Sequence, residues 1–324
     1  MRVLCTGGAG YCGSVLVPKM LRAGHQVTVL DAQWFGRNLD DHERLDFMLD
    51  DIRAVPGSIW DRGGGLRDYH AIIHLAGIAN DPCGELDAKL TWEVNVLATM
   101  RLAESAVRAG VKQFIFASSA SVYGLKDNKP VIEDTELEPV SDYNRTKMTA
   151  ERVLLSYGDR MAVQIVRPAT VCGLSPRMRF DTMVNMLTLQ ALTNGRITAH
   201  CGEHGAGLMR PNTHIQDITD LYVLMLYRPD LTGAWNAGFE NISAMDTAKL
   251  IADEIGAEIE ITAVKDKRSY AVDSSKLLAT GFSPQHTVRD AIRDIATAWN
   301  EGRVKMEPRC MNLAWMQSQG LVKG

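Results

Sequence analysis

A glycine-rich turn near the start of the chain constrains the fold more than any other stretch. Residues 2–6 are an apolar run typical of a buried strand, Gly7, Gly10 and Gly13 follow it, and an apolar helical pattern begins at once. Glycine allows a tight turn and lets a ligand approach the backbone closely. The helix that follows presents free N–H groups and the positive end of its dipole. The stretch therefore predicts a site for the phosphates of a nucleotide.

The next apolar segment predicts a second strand, residues 26–31, which ends on Asp31. Asp31 lies roughly 20 residues beyond the start of the turn, where a carboxylate can accept hydrogen bonds from the hydroxyls of a ribose. A carboxylate there repels a 2′-phosphate, so the sequence favours NAD over NADP. Arg37 in the following loop carries the opposite charge and weakens this preference if it faces the same site.

Strand and helix patterns continue to alternate along the first half of the chain. Short apolar runs predict strands, and longer segments with apolar residues at helical spacing predict helices. The predicted strands cover residues 71–77, 112–119 and 161–168, and the predicted helices cover residues 86–109 and 143–157. This alternation predicts an α/β fold, a doubly wound parallel sheet with helices on both faces.

The pattern changes after the last of these strands, where glycine, arginine and methionine become frequent. We predict a nucleotide-binding domain at residues 1–171, which is rejoined by about 214–236. The remaining segments, 172–213 and 237–324, are predicted to form a smaller mixed α/β domain for the substrate. We expect residues 311–324 to be a loosely attached arm.

Composition argues against several classes of function. The net charge of −4 is too small to indicate nucleic acid or a membrane surface as a partner, and no apolar run approaches the ~20 residues of a transmembrane helix. The six cysteines are scattered without a Cys-x-x-Cys pair, so neither a metal site nor a disulfide framework is predicted. Because Met1 directly precedes the first predicted strand, we expect no signal peptide and a cytoplasmic protein with reduced thiols.

A tyrosine and a lysine at helical spacing supply the candidate chemistry. Tyr143 and Lys147 are four residues apart at the start of a predicted helix, so they share one of its faces. A neighbouring ammonium favours the phenolate, as does the positive ring of an oxidised nicotinamide, and a tyrosine that normally titrates near pH ~10 then becomes a base at neutral pH. Ser119, at the end of the preceding predicted strand, can donate a hydrogen bond to the same substrate hydroxyl.

The order of these features resembles the extended short-chain dehydrogenase/reductase family. The resemblance is carried by Gly7-x-x-Gly10-x-x-Gly13, Asp31, Asn95, the run Ser118-Ser119-Ala120-Ser121-Val122-Tyr123-Gly124, and Tyr143-x-x-x-Lys147. Within that family the chain is similar to the nucleotide-sugar epimerase and dehydratase branch, over most of its length and more weakly after about Asn241. The resemblance implies a Rossmann-type sheet, NAD as the cofactor, a nucleotide sugar as the substrate, and a homodimer paired through the helices of residues 86–109 and 143–157.

The resemblance also implies roles for individual residues. Ser119, Tyr143 and Lys147 are expected to be catalytic. Arg210 is expected to grip the nucleotide diphosphate, since a guanidinium can bind phosphate through two parallel hydrogen bonds. The expected cofactor contacts are Gly7, Gly10, Tyr11, Cys12, Gly13, Asp31, Asp51, Ile52, Leu75, Ala76, Gly77, Asn95, Tyr143, Lys147 and Pro168. The expected substrate contacts are Ser119, Ser121, Tyr143, Thr170, Arg179, Asn185 and Arg210.

Departures from the family's patterns narrow the reaction. The 4,6-dehydratases place an Asp and a Glu, as acid and base, just after the position that matches Ser119, where this chain has Ala120 and Ser121. The 3,5-epimerase type has a cysteine at the place of Ser121. Neither alanine nor serine transfers a proton at neutral pH, so we predict epimerisation at C4 through a transient 4-keto sugar. The alternatives are a dehydratase, reductase or dehydrogenase of the same family and, from another class, a non-catalytic dinucleotide-sensing protein.

Several polar residues have two interpretations each. Asn95 either makes a structural hydrogen bond inside its helix or shapes the site. Cys172 stands where family members often carry tyrosine, and a buried inert thiol is favoured over a residue that lines the pocket. Arg177 and Arg179 either pair with a carboxylate or phosphate or face solvent. His74 has no visible partner, so we expect a structural role.

Overall fold

A parallel sheet forms the centre of the protein, which is seen in a computed structural model that describes residues 1–54, 65–126, 129–201, 208–263 and 270–321. The strands of these residues are β1 (Arg2–Thr6), β2 (Gln26–Asp31), β3 (Leu45–Leu49), β4 (Ala71–His74), β5 (Gln113–Ala117), β6 (Pro130–Val131), β7 (Ala162–Pro168), β8 (Thr170–Cys172), β9 (Arg196–Cys201), β10 (Met209–His214), β11 (Gly233–Ala237), β12 (Glu240–Ser243), β13 (Glu258–Ala263) and β14 (Ala271–Val272). Seven strands form the central sheet in the order β11-β7-β5-β4-β1-β2-β3. Every neighbouring pair in it is parallel, so the predicted fold class is confirmed.

Helices cover both faces of this sheet and form a further group beside it. The helices of the described residues are α1 (Gly13–Arg22), α2 (Asp81–Leu86), α3 (Ala88–Trp92), α4 (Thr99–Ala109), α5 (Asp142–Leu155), α6 (Met183–Asn194), α7 (Ile215–Tyr227), α8 (Ala244–Ile255), α9 (Ser275–Leu278), α10 (Val288–Asn300) and α11 (Asn312–Ser318). A π-helical segment, Glu93–Ala98, joins α3 to α4.

Two apolar cores fill the space on either face of the central sheet. Neighbouring residues of a strand point to opposite faces, because the side-chain period of a strand is two. Val3 in β1 packs into the core that includes Leu16 of α1 and Ile218 of α7. Leu4 packs into the core that includes Leu102 of α4. Both strand residues are completely buried, which explains why β1 is a continuous apolar run in the sequence.

The predicted helix over residues 86–109 is confirmed except at its start, because α3, a π-helical segment and α4 follow one another without a gap from Ala88 to Ala109. Asp87 is extended (φ −146°, ψ 90°) between α2 and α3, and its carboxylate accepts the backbone N–H of Leu90 at 2.9 Å. Beyond α3 the chain widens into the π-helical segment. Such segments are frequent at functional sites, and this one carries Asn95 next to the cleft described below.

A smaller α/β group follows the central strands in the sequence. β8, β10 and β12 form one sheet and β9 and β13 form another, with α6, α8 and α10 packed around them. Leu187, Ile251 and Ile292 belong to the core of this group. Two later elements return to the central sheet, because α7 packs on α1 and β11 pairs with β7.

The C-terminal residues do not form the loose arm expected from the sequence. The indole N–H of Trp315 donates to the carbonyl of Trp34 at 2.6 Å, and α11 packs against α2. Met316 is 2% exposed and belongs to the core beneath α4. A short helix has little stability alone, so these tertiary contacts hold it in place through Leu321. Residues 322–324 of the expected arm lie outside the described residues.

The described ranges contain no helix that is long and apolar enough to cross a membrane. Within the same ranges, no group of three or more His, Cys, Asp or Glu side chains is arranged to hold a metal ion. The cysteines whose side chains are described are free thiols: Cys5, Cys12, Cys83, Cys172 and Cys310.

Candidate active site

A cleft of about 530 Å³ opens at the carboxyl ends of the central strands. In open parallel sheets the loops at this edge bind the ligands. The glycine turn after β1, the segment after β5 and the start of α5 line the cleft together with residues of β8 and β10. Part of the predicted cofactor set and most of the predicted substrate residues therefore line one space.

The glycine turn presents bare backbone to the cleft. Gly7 has a φ of +72°, and a Cβ there would lie 2.5 Å from the backbone nitrogen of Ala76. A Cβ on Gly13 would lie 2.5 Å from the backbone of Gly8. α1 begins at Gly13, so its N-terminus lies directly behind the turn. This arrangement fits the diphosphate of NAD, which needs close backbone approach and a positive helix end.

A cavity beside the turn fits the adenosine half of NAD. Its lining includes Gly7, Gly10, Asp31, Trp34, Phe35, Asp51, Ile52, Leu75, Ala76 and Gly77. The Asp31 carboxylate accepts the backbone N–H of Gln33 at 2.7 Å and that of Ala9 at 3.0 Å. Burial raises the pKa of Asp31, and these two hydrogen bonds oppose the rise. The carboxylate is therefore fixed at the wall of the cavity, where it can accept ribose hydroxyls.

Arg37 does not line this cavity. Its guanidinium pairs with the carboxylate of Asp41 and lies 5.3 Å from the ring centroid of Phe47. Because these contacts keep its charge on the outside of the loop, it does not offset Asp31. The cavity is consequently suited to a ribose without a 2′-phosphate.

Asn95 shapes the cleft from behind. Its Oδ1 accepts the backbone N–H of Ile78 at 2.8 Å, and its Nδ2 donates to the carbonyl of Ile78 at 3.1 Å and to the hydroxyl of Thr146 at 3.0 Å. These bonds join the loop after β4 to α5. The structure thus combines the two interpretations of Asn95: it makes structural bonds, and they set the position of Gly77 in the cleft wall.

His74 is a buried structural residue, as its sequence context suggested. It bonds to the hydroxyl of Thr6 at 2.6 Å and to that of Thr99 at 2.8 Å. Burial, with the positive charge of Lys147, lowers the pKa of His74 to about 3. The imidazole therefore stays neutral and links β1 and β4 to α4.

Ser119, Ser121 and Tyr143 meet in the wall of the cleft. The two serine hydroxyls are 2.8 Å apart, and the Ser119 hydroxyl also accepts the backbone N–H of Ser121 at 3.2 Å. Burial raises the pKa of Tyr143, whereas hydrogen bonds from Ser119 and the backbone of Asn80 lower it. The three hydroxyl groups can hold one substrate oxygen and exchange a proton with it.

Lys147 lies one turn beyond Tyr143 on α5, with its ammonium group turned towards the sheet. Its Nζ donates to the carbonyl of Ala117 at 2.8 Å and lies 4.8 Å from the ring centroid of Phe116. Burial lowers the pKa of Lys147 to about 8, although Glu151 opposes this. A Cβ on Gly77 would lie 3.4 Å from the same Nζ. The ammonium is placed at the loop after β4, and its expected effect on the pKa of Tyr143 stays a prediction.

A buried ion pair supports this wall, and no sequence pattern indicated it. Arg167 on β7 and Glu151 on α5 are 2.7 Å apart and almost fully buried. The Ser118 hydroxyl donates to the same carboxylate, and Arg167 donates to the hydroxyl of Tyr123 at 2.8 Å. In the sequence, only the spacing of Glu151, four residues after Lys147, indicated that this carboxylate shares a helical face with Lys147. The network fixes the end of β5, and with it Ser119, against α5.

The opposite wall contains some of the predicted substrate residues and buries others. Pro168, Thr170 and Arg210 line the cleft. Asn185 does not reach it, because the side chain is completely buried and bonds to the N–H of Gly173, the hydroxyl of Tyr11 and the carbonyl of Arg179. Asn185 therefore supports the wall instead of contacting a ligand. Its polar character gave no indication of this burial.

Cys172 lies behind this wall. The thiol is completely buried and donates to the carbonyl of Thr213 at 3.6 Å. Burial is the largest effect and raises its pKa well above the usual range. The favoured interpretation of an inert buried thiol agrees with this position.

Both arginines of the segment after β8 line the cleft, so the interpretation in which they face solvent is wrong. Arg179 donates to both carboxylate oxygens of Asp181, at 2.9 and 3.2 Å. The amide of Asn80 donates to the same carboxylate at 3.3 Å. Asn80 and Asp181 belong to the site, and only their wall position in the fold reveals them. The surroundings of Arg177 are described below.

The comparison with family models agrees with this geometry. Residues 3–238 match the model of the NAD dependent epimerase/dehydratase family, which is more than half of the chain. The chain belongs to this family. The match includes the glycine turn, the serine segment, Tyr143, Lys147 and Arg210.

Individual members of the NAD dependent epimerase/dehydratase family resemble the chain over most of its length. The UDP-glucose 4-epimerase of Lactobacillus helveticus is 27% identical over 328 residues, which span 92% of this chain and 96% of that protein. The structure of UDP-glucuronic acid 4-epimerase from Bacillus cereus with UDP-glucuronic acid and NAD has a TM-score of 0.80, 25% identity and coverages of 93% and 99%. DesIV, a dTDP-glucose 4,6-dehydratase from Streptomyces venezuelae with NAD and TYD bound, has a TM-score of 0.82, 26% identity and coverages of 95% and 100%.

Proposed function

We propose that this protein is an NAD-dependent nucleotide-sugar epimerase that acts at C4 of the sugar. The observation that carries the proposal is the cleft wall in which Ser119, Ser121 and Tyr143 meet with no carboxylate beside them at positions 120 and 121. The relatives named above include 4-epimerases of UDP-sugars, which supports the same reaction class.

The proposed roles follow from the contacts of each side chain. Tyr143 removes the proton of the C4 hydroxyl and returns it when the hydroxyl is restored. Ser119 and Ser121 hold the substrate oxygen, and Lys147 holds the nicotinamide ribose. NAD bound in this cleft supplies the acceptor, and later the donor, of the hydride. Arg210 binds the diphosphate of the substrate, and Thr170 contacts the sugar.

Epimerisation requires that the 4-keto sugar presents its other face before the hydride returns. A cleft with small side chains in its wall, Ser119, Ser121 and Thr170, leaves space for this rotation. Because the cofactor is regenerated in each cycle, the enzyme has no need to release it.

A dehydratase of the same family is the second candidate, since DesIV has a similar structure. The described carboxylates that line the main cleft are Asp81 and Asp181. Asp81 accepts the hydroxyl of Ser141, and Asp181 is paired with Arg179. Both are engaged, so proton transfer for water elimination lacks a dedicated acid and base.

The purified enzyme, incubated with a panel of UDP- and dTDP-sugars, tests the proposal. We expect a C4 epimer of one sugar, detected by chromatography and NMR, without net change in absorbance at 340 nm. A 4-keto-6-deoxy product would identify a dehydratase, and stoichiometric NADH formation would identify a dehydrogenase. Either product in place of the epimer contradicts the proposal.

We also propose a cytoplasmic homodimer, with residues 1–171 and 214–236 as the cofactor domain and 172–213 and 237–324 as the substrate domain. Leu97 and Met100 are more than one third exposed and lie three residues apart where the π-helical segment passes into α4. Apolar side chains on such a face support pairing through α4 and α5. Sedimentation of wild type and Met100→Glu tests this, and a monomeric wild-type protein contradicts it.

A further inference from the structure

An arginine in the cleft wall lacks the counter-charge that its burial requires. Arg177 is 3% exposed and lines the cleft together with Gly10, Cys12 and Asn312. Its Nη2 donates to Oδ1 of Asn312 at 2.5 Å. Its Nε and Nη1 are buried without a hydrogen-bond partner in the part of the chain that the structure describes. Unpaired buried N–H groups of a cation are costly, so an anionic ligand is the expected partner.

The neighbouring residues do not supply this anion. The carboxylate of Asp181 is already occupied by both arms of the Arg179 guanidinium. Burial, together with the positive charge of Arg179, lowers the pKa of Arg177 to about 10. The local field therefore favours the binding of a negatively charged group next to Arg177.

The position of Arg177 points to the cofactor as the source of that group. Its Cζ lies 4.0 Å from the ring centroid of Phe35, which lines the adenosine cavity. Its backbone N–H reaches the hydroxyl of Ser14, in the first turn of α1, at 3.4 Å. Arg177 is thus anchored to the two elements that flank the nucleotide site, the loop after β2 and the helix behind the glycine turn.

We propose that Arg177 binds the diphosphate of NAD together with the N-terminus of α1, and that Asn312 orients its guanidinium. The proposal rests on NAD being the cofactor of the proposed function. Asn312 is the first residue of α11, which is joined to the loop after β2 through Trp315 and Trp34. The C-terminal segment thereby positions a residue that retains the cofactor.

The test is the exchange of bound NAD for isotope-labelled NAD in the purified holoenzyme, followed by mass spectrometry. We expect Arg177→Met to exchange roughly 10- to 100-fold faster, the range for losing charge-assisted hydrogen bonds to phosphate. Arg177→Lys keeps the charge, so we expect a smaller acceleration. Asn312→Ala leaves the arginine without its side-chain partner, and we expect a change of about 3- to 10-fold.

Competition by ADP and by adenosine for the uptake of labelled NAD isolates the diphosphate. In wild type ADP should compete at lower concentration than adenosine, and in Arg177→Met this advantage should shrink by the same roughly 10- to 100-fold. Arg303→Met is the matched control, because Arg303 pairs with Glu301 and is absent from the cleft lining. It removes the same charge and should leave both exchange and competition unchanged.

Two results would overturn the proposal. One is unchanged NAD exchange in Arg177→Met combined with weaker binding of the nucleotide sugar, which would assign Arg177 to the substrate diphosphate. The other is an equal loss of affinity for ADP and adenosine, which would indicate a structural defect. Because neither readout depends on turnover, the proposal can fail while the epimerase activity stands, and the reverse also holds.

Discussion

The cleft has two walls of different construction. We call the side formed by the glycine turn the cofactor wall, and the side formed by Tyr143 and the segments after β5 and β8 the substrate wall. On the cofactor wall, backbone groups and glycines at Gly7 and Gly13 leave space that side chains would fill. On the substrate wall, side chains join segments that are far apart in the sequence. The hydroxyl of Tyr11 donates to the carbonyl of Gly173, 162 residues away, and the amide of Asn80 donates to the carboxylate of Asp181 over 101 residues.

The two walls should therefore respond differently to substitution. A backbone cradle is broken by adding atoms, and the expected loss is in folding and in cofactor content. A wall of side-chain hydrogen bonds is broken by removing a polar atom, and the expected loss is in turnover.

Tyr143→Phe removes one oxygen from the substrate side and leaves the rest of α5 in place. We expect kcat to fall by roughly 10²- to 10⁴-fold, the usual contribution of a positioned acid–base group. The NAD content should not change and the melting temperature should change little, because the partners of this hydroxyl, Ser119 and the backbone of Asn80, belong to the wall of the cleft. A parallel loss of bound NAD would show that the two walls cannot be separated in this way.

Gly7→Ala adds one carbon to the cofactor wall. Its φ of +72° is unfavourable for alanine, and the new Cβ would lie 2.5 Å from the nitrogen of Ala76. We expect the free energy of unfolding to fall by roughly 2–4 kcal/mol and the purified protein to carry less NAD. Gly195→Ala is the matched control, because φ is +64° there and no atom lies within 4 Å of the new Cβ. Equal losses in urea unfolding of both variants would refute the steric argument.

The pH dependence of stability sharpens the contrast within the cofactor half. His74 takes up a proton near pH 6.5 in the unfolded chain but only at about 3 when folded. The unfolded state therefore binds more protons between these values, and stability falls as the pH is lowered, by up to about 1.4 kcal/mol per pH unit. His74→Gln should lose this component, measured by urea unfolding at pH 7, 6 and 5. Identical slopes for the two proteins would contradict the assignment.

Gly84→Ala tests how far packing alone positions the reacting group. A Cβ on Gly84 would lie 2.8 Å from the Cβ of Tyr143, so α2 and α5 must separate slightly. We expect kcat to fall by about 10-fold, because a small displacement of a catalytic group is costly, with NAD content unchanged. Gly158→Ala, in the turn after α5, is the control and should keep its activity. An unchanged kcat in Gly84→Ala would show that the wall tolerates this shift.

Local patterns in the sequence predicted the central sheet because each of its signals spans only a few residues. The apolar run of β1, the glycine turn and Asp31 follow one another within about 30 residues and dictate one strand–turn–helix arrangement. Tyr143 and Lys147 were predictable for the same reason, since their spacing places them on one helical face. The predicted start of the helix at Leu86 is two residues early, although Asp87 is a preferred helix-capping residue and caps α3 in the structure.

Long-range contacts decided what the sequence left open. From the sequence, Arg177 and Arg179 could equally face solvent or bind an anionic group, and Asn185 was predicted to contact the substrate. Burial settled which of them line the cleft, together with the distant partners Asn312 of Arg177 and Tyr11 of Asn185 and the local partner Asp181 of Arg179. The same holds for the C-terminal residues, whose anchoring to Trp34 has no local signal.

The glycine turn illustrates the difference between what local sequence predicts and what depends on the fold. The sequence alone predicted a nucleotide-phosphate site after β1, because glycine spacing and helix polarity act over one turn of chain. The residue opposite that turn, Arg177, could be identified only from the tertiary structure, because folding brings it together with groups that are distant in the sequence. The glycine turn and Arg177, which is held by Asn312 of α11, line the same cleft, and we propose that the cofactor binds between them.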